Sequence, residues 1–138
     1  MEKLYHLRDI FGEVIAAYTR AQAIADGALI DVTTQASETG FKVPVAVTAA
    51  AWAEVVAWSN DDSARQIHQD ERGRLHDLLW VAFNLARHHK GCNRMRFQHL
   101  RVPRNGNERR CTPITLVMVI GPGDSAEPVV TFMLPNDE

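Results

Sequence analysis

The sequence predicts an α+β domain, with helices mainly N-terminal and packed on an antiparallel sheet that ends in a C-terminal three-stranded meander. Three observations carry that expectation. Apolar residues recur at helical spacing from Leu75 to Ala86, the period falls to two after Gly91, and two short apolar runs, Pro113 to Ile120 and Val129 to Leu134, close the chain. A chain of 138 residues, 46% of them hydrophobic, suits a single domain over residues 1–138. Such a domain buries roughly two thirds of its unfolded surface.

The elements follow in order. Leu4 to Ala17 carries a loose helical stripe of Leu4, Ile10, Phe11, Val14 and Ile15, which Gly12 weakens by about 1 kcal/mol relative to Ala. Thr19 and Gln22 have capping-box spacing, so a short helix from Arg20 to Asp26 is expected, ended by Gly27 in the left-handed conformation. Ala28 to Val32 reads as a brief strand and Thr34 to Glu38 as one helical turn. Phe41, Val43, Val45 and Val47 alternate with Lys42, Pro44 and Ala46; Pro44 places this strand at a sheet edge because it has no amide hydrogen to give. Thr48 is the natural N-cap of a helix through Trp58, which Ser59-Asn60-Asp61-Asp62 ends. The principal helix runs from Asp70 to His89 with Leu75, Leu78, Leu79, Ala82, Phe83 and Ala86 as its core stripe. Gly91 stops it, and His88, His89 and Lys90 suit the negative end of its dipole.

Beyond Gly91, Met95 and Phe97 share a face with Leu100 and Val102 only if one residue is inserted, so a bulge is expected near Gln98 and His99. Arg104-Asn105-Gly106-Asn107 reads as a hairpin turn. Pro113 to Ile120 and Val129 to Leu134 are apolar at nearly every position, the pattern of strands covered on both faces. Gly121-Pro122-Gly123-Asp124 links them with type II turn chemistry, and Asn136-Asp137-Glu138 is expected to fray. If the helices cover one face of the sheet, the other meets the N-terminal layer or a second copy, which makes a homodimer one expectation.

The charge is lopsided. Eight of the fifteen Lys and Arg residues lie between Arg87 and Arg110, where Glu108 is the only acid, leaving +7 there against −9 in the remainder. Clustered cations attract phosphate or an acidic protein face, and Arg94, Arg96 and, past the expected bulge, Arg101 would share one strand face, joined by Arg104, Arg109 and Arg110 at the turn. Contacts of this kind position a phosphate backbone without reading bases. The bland alternative is a solvated surface whose Arg stems cover apolar strand faces.

Other constellations carry less. His68, Asp70, His76 and Asp77 gather at the start of the principal helix, and a His-Asp pair can serve as base and orienter, but adjacent helical residues diverge by about 100°. A small enzyme using these four residues is the first rival reading, and an oligomeric interaction module is the second. His88, His89, Cys92, His99 and Cys111 include metal-capable side chains without a second spaced pair, so neither a metal nor a cofactor is expected. Trp52, Trp58 and Trp80 read as core or core-edge residues. Gly121-Pro122-Gly123-Asp124 resembles an anion cradle, yet a strand follows it where a phosphate loop needs a helix. A hairpin turning at Asn105-Gly106 sets Cys92 opposite Val119 and away from Cys111, so two free thiols are expected. Asp77, Asn84 and Thr131 interrupt the apolar stretches well before the ~20 residues that span a bilayer, and Met1-Glu2-Lys3-Leu4 lacks a signal peptide's apolar core. No membrane partner and a cytoplasmic location are expected.

Nearly the whole chain resembles a family of small proteins of unassigned function carried by bacterial plasmids, integrative elements and phages. The matching blocks are Tyr18-Thr19-Arg20-Ala21-Gln22-Ala23-Ile24, Asp26-Gly27, Asp31-Val32, Pro44-Val45-Ala46, Thr48 and Trp52. They continue with Gln69-Asp70, Gly73-Arg74-Leu75, Asp77, Leu79-Trp80, Arg101-Val102-Pro103-Arg104, Gly121-Pro122-Gly123-Asp124, Glu127-Pro128-Val129 and Met133-Leu134-Pro135. In that family Trp stands where this chain has His76, so the resemblance implies that His76 is not a shared catalytic residue. It also implies an accessory gene of a mobile element, and small proteins of that kind antagonise host defence, anti-CRISPR proteins being one class. The function expected is therefore non-enzymatic: binding of a nucleic acid or nucleoprotein, or an acidic protein face, through Arg94, Arg96, Arg101, Arg104, Arg109 and Arg110.

Overall fold

A computed structural model describes residues 18–104, 106–107 and 109–137, so the helix expected from Leu4 to Ala17 lies outside the described residues. The described chain is α+β, built on one five-stranded mixed sheet. In order, the elements are α1 (Arg20–Asp26), β1 (Leu29–Asp31), α2 (Thr33–Thr39), β2 (Val45–Thr48), α3 (Ala49–Val55), α4 (Asn60–Arg65), α5 (Glu71–His88), β3 (Arg94–Arg101), β4 (Thr112–Pro122) and β5 (Pro128–Met133), followed by a 3-10 turn, Pro135–Asp137. The strands lie in the order β1-β2-β5-β4-β3.

Local chemistry starts the helices where expected. Thr19 accepts from the Gln22 amide and Gln22 returns a bond to the Thr19 amide, the full capping box, and Gly27 closes α1 at φ 83. Thr48 accepts from Ala51 to start α3, and Asp70 accepts from Gly73 to start α5. The segment expected to end a helix begins one instead: Ser59 and Asp62 form a second capping box that opens α4, while α3 stops at Val55. A polar run after an apolar helix thus worked as a start signal because Ser-x-x-Asp satisfies two orphan donors at once. Asp124, in the expected glycine turn, caps α1 from afar, accepting from Arg20 and Ala21 at 2.8 and 3.0 Å.

The meander is present, with β4 antiparallel to both β3 and β5. The sheet as a whole is not antiparallel, because β2 runs parallel to β5. Nor is β2 an edge: it sits between β1 and β5. Pro44 precedes the strand and contributes only its carbonyl, accepting from Val130 at 2.9 Å, so the missing amide costs the ladder nothing. Val45, Ala46 and Val47 are all buried, the mark of an interior strand. Gly121 and Pro122 belong to β4, and the turn falls later, where Gly123 donates to Glu127. Asp137, expected to fray, accepts from the Thr48 hydroxyl at 2.7 Å and the Leu134 amide at 3.0 Å.

The core lies between the sheet and the helical layer. Phe132 is fully buried at its centre and meets Phe41 and Phe97 edge-on at 6.4 and 6.3 Å. Leu75, Leu78, Leu79 and Ala82 of α5 pack into the same cluster, while Phe83 and Ala86 are only partly buried. Phe83 closes over Gly40, where a Cβ would stand 2.6 Å from the ring in a backbone of φ 131. Val117 and Val129, on the other face of the sheet, are buried as well. Among the described residues no helix is long and apolar enough to cross a membrane.

Leu79 is wholly buried in this cluster. Leu79→Ala is expected to cost about 2–5 kcal/mol through the cavity it leaves, measured as a shift of the urea unfolding midpoint.

Candidate functional site: a basic edge strand and a polar cavity

β3 is the outermost strand on its side of the sheet, and its pairing with β4 is regular from Arg94 opposite Val119 to Arg101 opposite Thr112. The expected bulge at Gln98 and His99 is absent. Uninterrupted alternation therefore turns Met95, Phe97, His99 and Arg101 toward the helices and Arg94, Arg96, Gln98 and Leu100 away from them. His99 is 3% exposed and Leu100 61% exposed, the reverse of what their polarities suggest. The chain accepted one buried imidazole and one exposed leucine in place of a ladder defect.

This alternation divides the six arginines. Arg94 and Arg96 stand together on the exposed face. Arg101 lies on the helical side, where its guanidinium donates to the Glu54 carbonyl and carboxylate at 3.1 and 3.2 Å and to the Thr112 hydroxyl at 2.9 Å. Arg104 turns inward to Asp62, its Nε 2.9 Å from Oδ2. Arg109 and Arg110 are exposed in the 102–111 connection, beyond the end of β3 opposite Arg94. The structure thus brings Arg94 and Arg96 together and gives Arg101 and Arg104 structural partners.

Those partners form a polar anchor that the sequence reading missed. Asp62 is completely buried and accepts from the Ser59 amide and hydroxyl, from Arg104 and from Arg65 Nη2 at 3.1 Å. Arg65 Nη1 also donates to the Gly106 carbonyl, tying the connection to α4. Beside it Arg74, 4% exposed, donates to the carbonyls of Val56 and Val102 and to Gln69 Oε1, with its guanidinium 4.5 Å above the Trp58 ring. Burial, reinforced by the charges of Arg101 and Arg104 and opposed by Asp62, pushes its pKa down to about 10, so it stays charged. The legible signals were the Ser-x-x-Asp spacing and the place of Arg74 four residues before core Leu78.

His68, Asp70, His76 and Asp77 do converge, lining one open cavity of about 760 Å³ between α2 and the start of α5 with Gln35 and Glu38. The convergence stops short of a catalytic pair. His76 Nδ1 lies 4.0 Å from Asp77 Oδ1, beyond hydrogen-bond reach, with both side chains largely exposed. Asp70 spends its carboxylate capping α5. His76 instead stacks with Trp80 at 6.5 Å, and Trp80, expected in the core or at its edge, is 54% exposed. Among the described residues no three His, Cys, Asp or Glu side chains cluster as metal ligands. Cys92 and Cys111 are free thiols, both exposed.

A family model described as a family of unknown function, DUF6573, matches residues 8–138. The chain belongs to that family. No curated protein and no solved structure matches it. In this DUF6573 member the matched span takes in every feature of the basic strand, the polar anchor and the cavity.

Two outcomes follow from the anchor. Arg104→Ala removes one guanidinium from a fully buried carboxylate and is expected to cost about 1.5–3 kcal/mol, whereas Arg109→Ala should change stability by less than about 0.5 kcal/mol; urea unfolding of the pair separates them. His99 has its pKa lowered by burial, with Arg74 and Arg101 acting in the same direction and Asp77 opposing. The folded ring is thus neutral where the unfolded one takes up a proton, so stability should fall as pH drops below about 6.5. His99→Leu should flatten that slope in unfolding measured across the same range.

Proposed function

We propose that this protein is a non-enzymatic binding protein that engages an anionic target, a nucleic acid or a nucleoprotein, through the basic edge formed by Arg94 and Arg96 on β3, with Arg109 and Arg110 on the adjoining connection. The observation that carries the reading is the position of Arg94 and Arg96 together on the exposed face of an edge strand, with Arg109 and Arg110 exposed on the connection that follows it. Arg101 and Arg104 support the edge from behind by fixing its end to Glu54 and Asp62. The cavity offers weaker support for chemistry, since its imidazoles and carboxylates do not bond one another. An accessory role in a mobile element, directed against host defence, fits a small protein whose working surface is a binding edge.

The test uses the full chain with Arg94 and Arg96 both changed to Glu, which leaves the Glu54 and Asp62 contacts untouched. Binding to a fluorescent single-stranded oligonucleotide should weaken, and the dependence of affinity on salt should lose about one unit of slope for each contacting arginine removed. The melting curve should stay close to the wild type, because exposed charges contribute little to stability. Undiminished binding by the folded variant would overturn the reading.

A further inference from the structure

We propose that the small cavity where the end of α5 meets the β3–β4 pair is a copper(I) site, with His89, Cys92, Met95 and Met118 as its ligands. The proposal is independent of the basic edge. These four residues line one cavity of about 90 Å³, a volume suited to an ion rather than an organic ligand, with Ala86 and Ile120 as its apolar wall. Two local structures bring the ligands there. The Cys92 amide donates to the His89 carbonyl at 3.4 Å, closing a turn in which Gly91 takes φ 90, the positive sign a type II turn needs at its third residue. The first and last residues of such a turn stand less than about 7 Å apart at Cα. Met95 and Met118 are direct partners in the antiparallel register and both turn toward the helical layer, which sets their Cβ atoms about 5 Å apart. His89 Nδ1 lies 2.9 Å from the Leu85 carbonyl, which can only accept, so Nδ1 carries the proton and Nε2 keeps the lone pair that binds a metal. A histidine ligand is ordinarily oriented in this way, through its other nitrogen.

The donor set selects the ion. Thiolate and thioether sulfurs are soft ligands that favour copper(I), whereas zinc sites are built from cysteine, histidine and carboxylate. No Asp or Glu is among the described residues that line the cavity, which removes the oxygen ligands hard cations require. Charge argues the same way. Cys92 gives up its thiol proton to solvent as the sulfur–copper bond forms, so one thiolate offsets one positive charge and the centre is neutral; a divalent ion would leave a net charge against the apolar wall and beside Lys90. Copper stays monovalent throughout, so the step needs neither oxidant nor reductant. His89 and Cys92 are exposed and give the ion its way in, while Met118, 3% exposed, forms the floor. The set escapes a count of histidines, cysteines and acids because only two of its members are of those types, and the other two are thioethers paired across two strands.

The test titrates the full, reduced chain with copper(I) held by bathocuproine disulfonate, and follows the methionine methyl groups by NMR. The expected result is one copper(I) per chain taken from the chelator, with the methyl signals of Met95 and Met118 shifted and that of Met133 unmoved. Cys92→Ser should abolish the transfer. His89→Gln, and separately Met95→Leu combined with Met118→Leu, which nearly conserves core volume, should each weaken it at least about tenfold. Cys111→Ser should leave it unchanged, because Cys111 lies beyond the other end of the β3–β4 pair. Undiminished binding by the His89 variant or by the double leucine variant would reduce the site to an exposed thiol and overturn the proposal. So would unmoved Met95 and Met118 signals in the copper-loaded wild type, a readout that needs no substitution and stands even where a core variant fails to fold. Two coppers per chain, one lost with each thiol, would overturn it as well, and zinc(II) held as tightly as copper(I) would overturn the assignment of a soft site.

Discussion

The buried guanidinium of Arg74 is the constraint on which the packing around the end of β3 depends. From the first turns of α5 it reaches the carbonyls of Val56 and Val102, so one side chain ties together the end of α3, the principal helix and the exit of β3. An unpaired charge in that position would cost several kcal/mol, and the fold answers with carbonyl oxygens, a glutamine and the face of Trp58. Asp62 stands nearby with its own guanidinium partners, and its charge opposes the desolvation of Arg74. Helix packing on the sheet is thereby fixed at one end by polar bonds with direction, and elsewhere by apolar contact without it.

This anchor explains why the basic segment is not one surface. Arginines that look equivalent in sequence serve two purposes, and the division follows from strand alternation together with the placement of acids on other elements. Glu54 and Asp62 are distant in sequence from Arg101 and Arg104 and adjacent in space. Arg94 and Arg96, by contrast, lie on the outward face of β3, and Arg109 and Arg110 are exposed on the connection after it.

Much of the architecture was legible. The capping box at Thr19, the caps at Thr48 and Asp70, the glycine stop at Gly27 and the stripe from Leu75 to Ala82 all rest on interactions within a few residues, which a sequence displays directly. The elements that depart from these local rules do so for a different cause. Pro44 suggests an edge strand but stands just before its strand, and a bulge at Gln98 and His99 would keep leucine inside and histidine out, which the structure does not do. In each case the local rule is sound, and what decides otherwise is set by tertiary pairing: β2 starts one residue after Pro44, and the unbroken β3–β4 register carries His99 inside and Leu100 out.

The sequence by itself determined where α1, α3 and α5 begin, the apolar closing strands, the core stripe from Leu75 to Ala82 and the concentration of positive charge between Arg87 and Arg110. Only the tertiary structure decided that β2 lies inside the sheet parallel to β5, that β3 is left at its edge, and that Arg101 and Arg104 face inward while Arg94 and Arg96 face out. The physical reason is the range of the forces involved. Backbone capping and side-chain periodicity act over three or four residues, whereas strand order and the partners of buried charges depend on groups distant in the chain, such as Arg104 and Asp62 or Arg74 and Val102, that meet only when the chain has closed.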